Sequence, residues 1–480
     1  MKAGLNLREP LIRVMRAALH AVDPMEAVRR NVSLEAETLT VGPVAYRLSE
    51  IDRILVVGAG KAGAPMAAAL HDVLGDRIRD GILNVKHGHA TATATPDVRL
   101  GSLDFAGSET ALPLAGATSE HGLRLGPIQV VEAGHPVPDA AGMAGADRIA
   151  ELLKSAGERD LVIVLLSGGG SALLPLPAAG MTLNDYQALN SLLLRSGANI
   201  TEINTVRKHC SRLQGGQMAR LAAPARQAAL ILSDVVGSPL DVIASGPTVA
   251  DPTTYADALT ILHRFDIMDR TAATVLAHLE RGAVGEVPES PKSGDPVFGL
   301  VTNVVVGDNS LACRAAVTEA EAQGFRGVFL TTYCQGEARE VGKVVAGLAL
   351  GVANGQSDWQ PPVCLVMGGE TTVTVRGGGY GGRNQELALS AAVTLASADV
   401  PQGMEVMIAS LATDGTDGPT DAAGGIAAPD SVERGRRLGL DVHAALADND
   451  SLPYLGALGD LILTGPTGTN VNDLLLVMVK

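Results

Sequence analysis

Residues 54–66 read ILVVGAGKAGAPM, an apolar run followed by a glycine-rich turn and the start of a helical pattern. The run ILVV has no polar alternation, which predicts a strand covered on both of its faces. Gly58, Gly60 and Gly63 then form GxGxxG, the arrangement of a tight strand-to-helix turn. This stretch therefore predicts an α/β unit built on a parallel sheet.

Similar short apolar runs recur along the chain, with helical patterns between them. The clearest are IQVVE (128–132), LVIVLL (161–166), AALILS (228–233), VTNVVV (301–306), VCLVM (363–367), VMIASL (406–411) and LLLVMV (474–479). The alternation of strand and helix predicts the α/β class with mostly parallel sheets.

The length of 480 residues predicts two domains or one large composite domain. Residues 282–300 are rich in Gly and Pro and resemble a linker. We therefore predict domains at 1–285 and 286–480, and the last strand could return to the first domain. Residues 89–127 lack clear periodicity, so we expect an insertion or a flap near the ligand site.

Composition excludes several classes of protein. The net charge is −15 and no basic cluster is present, which argues against a general nucleic-acid binder. The four cysteines form no CxxC pair, so a zinc site or a disulfide framework is not expected. No apolar run reaches the ~18 residues of a membrane span. Leu11, Val14, Ala18 and Val22 predict an N-terminal helix rather than a signal peptide, and we expect a cytoplasmic protein.

Glycine-rich or Asp-rich loops follow five of the predicted strands, and a sixth such loop lies near the short run LIL (461–463). They are GAGKAG (58–63), SGGGS (167–171), SDVVGSP (233–239), GGETT (368–372), TDGTDGPTDAAGG (413–425) and TGPTGTNVND (464–473). Ligands of such sheets bind outside the carboxyl ends of the strands. Six such loops favour a shared site for an anion.

Two cations stand at the start of predicted helices, where the helix dipole disfavours them. Lys61 lies in the GAGKAG turn and is either an anion ligand or an exposed lysine. Arg383 follows GGGYGG, and its planar fork suits phosphate or carboxylate; the alternative is an ion pair with Glu386. We interpret the glycines of 368–386 as letting the backbone approach an anion.

Three carboxylates lie just beyond strands: Asp234, Glu370 and Asp414. Each could hold Mg²⁺, which prefers oxygen ligands and substrate phosphates, and each could equally cap a helix or form a turn. The pair His87 and His89, and the pair His135 and Asp139, are interpreted as structural because no third metal ligand accompanies them.

The GxGxxG turn by itself would also suit a dinucleotide. That interpretation requires an acidic residue at the end of the second strand, to bind the ribose. The second strand, GILNVKHGH (81–89), offers Lys86 and His87 there instead.

Taken together, the motifs resemble the glycerate 2-kinase family, the class II glycerate kinases with a MOFRL domain, some of which are named hydroxypyruvate reductase. The stretches that carry the resemblance are VVGAGKAGAPMA, LLSGGGSALLPLP, NTVRKHCSRLQGG, SDVVGSPLDVIASGPTVADP, GGETTVTVRGGGYGGRNQE, ATDGTDGPTDAAGG and TGPTGTNVNDL. They occur in the family's order between about residue 10 and residue 480.

The resemblance implies two α/β/α domains with the active site in an interdomain cleft. It implies transfer of the ATP γ-phosphate to the 2-hydroxyl of D-glycerate with Mg²⁺, with Lys61 and Arg383 as catalytic cations. The ATP- and substrate-binding candidates are Gly58, Gly60, Ser167, Gly168, Gly169, Gly170, Ser171, Gly369, Glu370, Asn384, Thr467 and Asn470. Asp234 and Asp414 are the candidate metal ligands, and either could instead accept the hydroxyl proton.

Two departures bear on the substrate: Ser238 stands where the family often has an acidic residue, and Tyr380 stands where a basic one is frequent. An NAD(P)H-dependent hydroxypyruvate reductase, a kinase of a related hydroxy acid, and a non-catalytic metabolite sensor remain as alternatives. A homodimer is also left open.

Overall fold

The computed structural model describes residues 7–90, 97–101, 118–119 and 122–480. Most of the predicted flap at 89–127 lies outside the described residues. The chain divides into two compact units. The first unit contains the described residues of 24–92 and 112–306. The second contains those up to Asp23, the strand Arg99–Gly101, and Gly307–Lys480.

The strands are β1 Val32–Glu35, β2 Thr38–Val41, β3 Val44–Arg47, β4 Arg53–Ala59, β5 Ile78–Lys86, β6 Arg99–Gly101, β7 Thr118–Ser119, β8 Gly122–Leu125, β9 Ile128–Ala133, β10 Asp160–Leu166, β11 Arg226–Leu232, β12 Val301–Gly307, β13 Arg326–Glu337, β14 Val363–Thr372, β15 Val406–Ala412, β16 Gly424–Ala427, β17 Leu461–Leu463 and β18 Asp473–Val479.

The α-helices are α1 Arg8–Ala21, α2 Pro24–Asn31, α3 Gly63–Leu74, α4 Ala140–Lys154, α5 Gly170–Leu173, α6 Leu183–Arg195, α7 Ile200–His209, α8 Gln217–Ala222, α9 Tyr255–Arg264, α10 Ala273–Ala283, α11 Asn309–Ala322, α12 Ala338–Ala353, α13 Arg383–Ala396, α14 Ser431–Arg437, α15 Val442–Ala447 and α16 Ser451–Leu458. None of the described helices is both long enough and apolar enough to cross a membrane.

The first unit is organised around an eight-stranded sheet in the order β12-β11-β10-β4-β5-β9-β8-β7. The pairs among β11, β10, β4, β5 and β9 are parallel, as the unbroken apolar runs predict. Every residue of β10 is buried, and the core around it combines leucine and valine with many alanines. Because β11, β10 and β4 are neighbours, their carboxyl ends meet at one edge of the sheet.

Side-chain caps define the first residues of three helices in the first unit. Asp139 caps α4, and Thr182 with Asp185 forms a capping box on α6. Asn199 and Glu202 form a second capping box on α7. Each cap satisfies backbone N–H groups that the first helical turn leaves open.

The second unit contains a seven-stranded sheet in the order β13-β14-β18-β15-β16-β17-β6. Only β13 and β14 pair in parallel, and the remaining neighbours are antiparallel, so this sheet is mixed. The last strand, β18, lies between β14 and β15 in the middle of this sheet; it does not return to the first. Its amino end therefore lies beside the carboxyl ends of both neighbours.

The division of the chain differs from the predicted boundary at 285/286. The contact boundary falls at Val306, because β12 belongs to the first sheet and the Gly- and Pro-rich stretch precedes it. The predicted N-terminal helix is present as α1, with Leu11, Val14 and Ala18 buried. It packs against α11 and so belongs to the second unit.

Candidate active site

In the first unit the GAGKAG and SGGGS loops are bonded to each other. The Lys61 N–H donates to the carbonyl of Gly168 at 2.9 Å, and the Ala62 N–H donates to Ser167 Oγ at 3.0 Å. Gly60 has a φ of +144°, and a side chain there would collide with Ser167. Gly60 therefore serves the close packing of two protein loops, and Gly58 packs in the same way against Leu165.

The backbone donors of GAGKAG are used within the protein. The Gly60 N–H donates to Asn84 O at 3.1 Å and the Gly63 N–H to Gly60 O at 3.2 Å, in addition to the bonds of Lys61 and Ala62. A dinucleotide fingerprint needs free N–H groups at this turn to hold a pyrophosphate. Because these N–H groups are already bonded within the protein, the turn lacks the free donors that would bind the pyrophosphate of NAD.

The SGGGS loop differs in this respect. No described group accepts from the N–H of Gly168 or Gly169, and Gly169 adopts the left-handed conformation at a φ of 82°. The carboxylate of Asp234 lies against Gly168, where a side chain would not fit. The loops after β4, β10 and β11 are therefore together, as the parallel order predicts.

Lys61 is half-buried beside this loop. Within the part of the chain that the structure describes, no carboxylate forms a salt bridge with its ammonium group. Its side chain and the ring of His135 both lie against Gly169. Burial and the nearby charge of Lys61 lower the pKa of His135 to about 4, so the ring is neutral at pH 7.

Ser171 extends this group of side chains. Its Oγ lies 2.8 Å from Ser245 Oγ, which in turn donates to Asn204 Oδ1 at 3.1 Å. Ser245 is fully buried at a φ of 60°, so the surrounding structure imposes this backbone conformation. The chain of hydroxyl contacts orients Ser171 while leaving its side chain partly exposed.

In the second unit Arg383 begins α13, as its place after GGGYGG predicts. Its Nε and Nη2 donate to the two carboxylate oxygens of Asp473 at 2.6 and 2.8 Å. Its Nη1 lies 3.3 Å from Glu370 Oε1. Although burial alone would lower it, the bonds to Asp473 hold the pKa of Arg383 above its usual value.

The partner of Arg383 is therefore Asp473, and the predicted alternative of Glu386 is wrong. Glu386 is buried and accepts from Arg339 at 2.9 Å and from Asn449 at 2.8 Å. Asp473 is 2% exposed, and burial raises the pKa of its carboxyl. Two bonds to Asp473 fix the guanidinium plane, and Nη1 is the end directed toward the half-exposed Glu370.

A second carboxylate fixes the start of α13. Asp417 accepts from the N–H of Asn384 at 3.1 Å and from the N–H of Gln385 at 2.9 Å. Burial raises the pKa of Asp417 to about 6. Asn384 is itself buried, and its side-chain oxygen accepts from Ser410. Asn384 thus supports the helix start that carries Arg383.

Gly377, Gly379, Gly381 and Gly382 pack closely against other parts of the protein. The N–H groups of Gly378 and Tyr380 donate to Asp448 and Asp450 at 2.9 and 2.8 Å. A side chain on Gly379 would collide with Asp450. The turn at 448–450 therefore occupies the donors of Gly378 and Tyr380, and for the rest of 368–386 the anion-approaching backbone stays a prediction.

The remaining predicted residues have partly structural roles. Asp414 Oδ1 accepts from the N–H and hydroxyl of Thr416 at 3.1 and 3.3 Å, which closes its own turn. Thr467 is buried and donates to Thr413 O at 2.6 Å. Asn470 accepts from the Asn472 N–H at 3.1 Å. Gly369, within β14, and Gly170, at the start of α5, are both buried.

Sequence reasoning missed Asp473 and Asp417 as members of these groups and interpreted His135 as structural. Asp473 was included in the loop 464–473 but was not singled out, because the sequence did not show that an antiparallel strand begins there. Asp473 begins β18, and the antiparallel pairing places it opposite Gly369 and Ala412 at the ends of β14 and β15. The motif TGPTGTNVNDL contains it, so recognising β18 as antiparallel would have identified it.

Comparisons with known proteins agree with the sequence resemblance. Residues 11–280 match the model of a domain of unknown function, DUF4147, and residues 363–473 match the MOFRL family. The chain is 39% identical to the glycerate 2-kinase of Pyrococcus horikoshii, over 99% of this chain and 98% of that protein. It is also 39% identical to the D-glycerate 2-kinase of Thermotoga maritima, over 99% of both.

The solved structures are similar over the same extent. A crystal structure of a glycerate kinase from Thermotoga maritima has a TM-score of 0.81 and 38% identity, covering 99% of each chain. A Pyrococcus horikoshii protein has a TM-score of 0.80 and 39% identity, covering 100% of this chain and 99% of that one. Two Agrobacterium vitis relatives, 39% and 40% identical, carry the provisional name hydroxypyruvate reductase.

Proposed function

This chain belongs to the glycerate 2-kinase family, and we propose that it transfers the γ-phosphoryl group of ATP to the 2-hydroxyl of D-glycerate. The products are 2-phosphoglycerate and ADP. The proposal is carried by one observation: Lys61, with no carboxylate partner among the described residues, lies beside the open N–H groups of SGGGS. A cation beside open N–H donors suits an anion.

In this reaction the 2-hydroxyl oxygen forms a bond to the γ-phosphorus while the bond to the β-phosphate oxygen breaks. The protein contributes positioning and charge neutralisation. Lys61 would neutralise charge on the transferring group, and the Gly168 and Gly169 N–H groups would bind phosphate oxygens. Arg383 would donate to an anionic group of the ligand through Nη1, which faces the half-exposed Glu370, because its Nε and Nη2 already donate to Asp473.

The hydroxyl proton needs an acceptor. Of the two candidates, we favour Asp234 because of its position beside the SGGGS loop. Asp234 lies against Gly168, next to the proposed phosphate-binding N–H groups. We propose that Asp234 either accepts this proton or binds the metal.

Mg²⁺ fits this set of residues as an ion carried in by ATP. The described residues contain no cluster of three His, Cys, Asp or Glu side chains that could form a dedicated metal cage. Kinase sites commonly bind Mg²⁺ through one or two carboxylates together with the substrate phosphates. Asp234 would be one such ligand, and the ion would supply further neutralisation of phosphate charge.

The test of the function is ³¹P NMR of the product formed from ATP, Mg²⁺ and D-glycerate. We expect ADP and a phosphomonoester on the 2-position. A product phosphorylated on the 3-hydroxyl would contradict the regiochemistry, and ATP left intact would contradict the kinase assignment. Mixing hydroxypyruvate with NADH in the absence of ATP tests the reductase, and steady loss of NADH absorbance would support it instead.

Removal of divalent metal should abolish turnover. EDTA is expected to stop ADP formation because the charge on the ATP phosphates would then lack its main counterion, and added Mg²⁺ should restore it. Binding of Mn²⁺ with ATP, followed by electron paramagnetic resonance, should weaken in Asp234→Asn. Full activity in EDTA would remove the metal from the mechanism.

A further inference from the structure

Arg207 is a half-buried cation that the catalytic scheme does not use. It lies on α7, and its Nε donates to the side-chain oxygen of Asn190. Within the described chain no Asp or Glu forms a salt bridge with its guanidinium. Burial lowers the pKa of Arg207, which reflects the cost of holding a partly desolvated cation without a carboxylate.

Lys208, the next residue on α7, is a cation with a structural role. Lys208 is 4% exposed and lies 3.4 Å from Asp251 and 3.8 Å from Asp241. A buried charge without a partner is destabilising, and for Lys208 the fold supplies that partner. For Arg207 it supplies a neutral amide only, so the missing anion has to come from outside the described chain.

The position of Arg207 on α7 directs it toward the SGGGS loop. Asn204 precedes Arg207 by three residues, so both lie on one face of the helix. Asn204 reaches Ser245, and Ser245 reaches Ser171. The charges of both Lys61 and Arg207 act on His135, whose ring lies against Gly169. Arg207 and Lys61 therefore approach the same loop from different elements.

The bond to Asn190 determines which end of the guanidinium a ligand can use. With Nε engaged, Nη1 and Nη2 remain as two parallel donors in one plane. This geometry matches the two oxygens of a carboxylate better than the compact ammonium of a lysine does. We propose that Arg207 binds the carboxylate of the hydroxy-acid substrate through Nη1 and Nη2, with Asn190 fixing the plane of the guanidinium.

This proposal rests on the proposed kinase function and extends it to the substrate class, a small acid with a free carboxylate beside the reacting hydroxyl. The neutral ring of His135 and the hydroxyl of Ser171 would then face the uncharged part of the substrate. Lys61 stays with the phosphoryl group, so the two cations have separate anions.

The experiment compares Arg207→Gln and Arg207→Lys with the wild-type enzyme, and uses Arg195→Gln as the matched control. Arg195 is exposed near the end of α6 and belongs to no part of the proposed site. Steady-state kinetics would give the KM for D-glycerate and for ATP separately. Calorimetry with D-glycerate in the absence of ATP would report binding independently of turnover, and thermal unfolding would report folding.

We expect the KM for D-glycerate to rise roughly 10- to 100-fold in Arg207→Gln, the range for losing a hydrogen-bonded charge. The KM for ATP should stay within about twofold, as an estimate for a group that touches only the second substrate. Glyceramide, which lacks the carboxylate charge, should bind wild type and Arg207→Gln equally. Arg207→Lys should lose most of the affinity, because one ammonium cannot form the parallel pair of bonds.

An increased KM for ATP with an unchanged KM for D-glycerate would overturn the proposal and assign the guanidinium to a phosphate of ATP. Unchanged KM values for both substrates, together with a lower melting temperature, would overturn the proposal and assign Arg207 a structural role. Wild-type phosphorylation of D-glycerate tests the kinase function on its own. Failure of the function and failure of the Arg207 proposal are therefore separate results.

Discussion

Lys61→Ala should lower kcat by a factor of roughly 10³–10⁵, the range for removing a cation from phosphoryl transfer. This corresponds to about 4–7 kcal/mol of activation free energy. The melting temperature should hardly change, because the ammonium has no carboxylate partner in the described chain and the backbone bonds of residue 61 remain. A substitution of this kind usually changes stability by less than about 0.5 kcal/mol.

Lys154→Ala is the matched control, because Lys154 is exposed at the end of α4 and should leave both quantities unchanged. If Lys61→Ala keeps more than about a tenth of wild-type turnover, the loss is too small for a cation at the transferring group. The Gly168 and Gly169 N–H groups would then have to carry the phosphate interaction without Lys61.

Arg383→Ala should lose turnover by a similar factor and should also unfold more easily. The second effect departs from what the sequence predicts, since an arginine after a glycine turn resembles a solvated cation. Asp473 is buried, and without Arg383 its carboxylate has no charged partner at 2.6–2.8 Å. Breaking a buried ion pair by removing one member typically costs 3–5 kcal/mol, so we expect a loss of about that size.

The double variant Arg383→Ala with Asp473→Asn separates the two effects. It should regain much of the lost stability, because the uncompensated charge is gone, while turnover stays low. Arg383→Lys should keep part of the stability and little activity, since a single ammonium does not reproduce the planar fork. Equal turnover in Arg383→Lys and wild type would show that Nη1 is not the ligand-binding group.

The pH dependence of Arg383→Ala gives an independent check. Burial raises the folded-state pKa of Asp473, and Arg383 opposes that rise. In the variant the folded-state pKa should therefore lie higher still, above the unfolded value. A raised carboxyl pKa costs stability above it and the cost disappears as pH falls. The stability deficit of the variant should therefore shrink toward acid pH, measured by chemical unfolding.

Much of the fold was predictable because both faces of the central strands are buried. The apolar runs at 54–58, 161–166 and 228–233 correspond to β4, β10 and β11, and their parallel order brings their loops together. The strand β13, Arg326–Glu337, was missed because its residues are only half-buried and mix polar with apolar side chains. An apolar run does not show whether its strand pairs in parallel or antiparallel fashion, so the antiparallel pairing of the second sheet was not predicted.

The sequence identified the charged residues that follow strands. It did not identify the residues whose role depends on a partner that is distant in sequence. Lys61 and Arg383 were identified from their position at helix starts. Their different surroundings were not visible, because the partner Asp473 is 90 residues away in sequence from Arg383. Arg207 was not identified because what distinguishes it is the lack of a salt bridge to a described carboxylate, and the sequence does not show which cations lack one.

The central position of β18 in its sheet affects the order in which the two units can fold during synthesis. Its neighbours β14 and β15 are translated first, and β15 ends at Ala412 whereas β18 begins at Asp473. The first unit has all of its strands once Val306 has been made, and domains commonly fold as units during synthesis. The second unit cannot complete its sheet until its middle strand, β18, has been translated. Nascent chains stopped before residue 473 would leave the edges of β14 and β15 open and Arg383 without its partner, so they should be preferred substrates for chaperones and proteases.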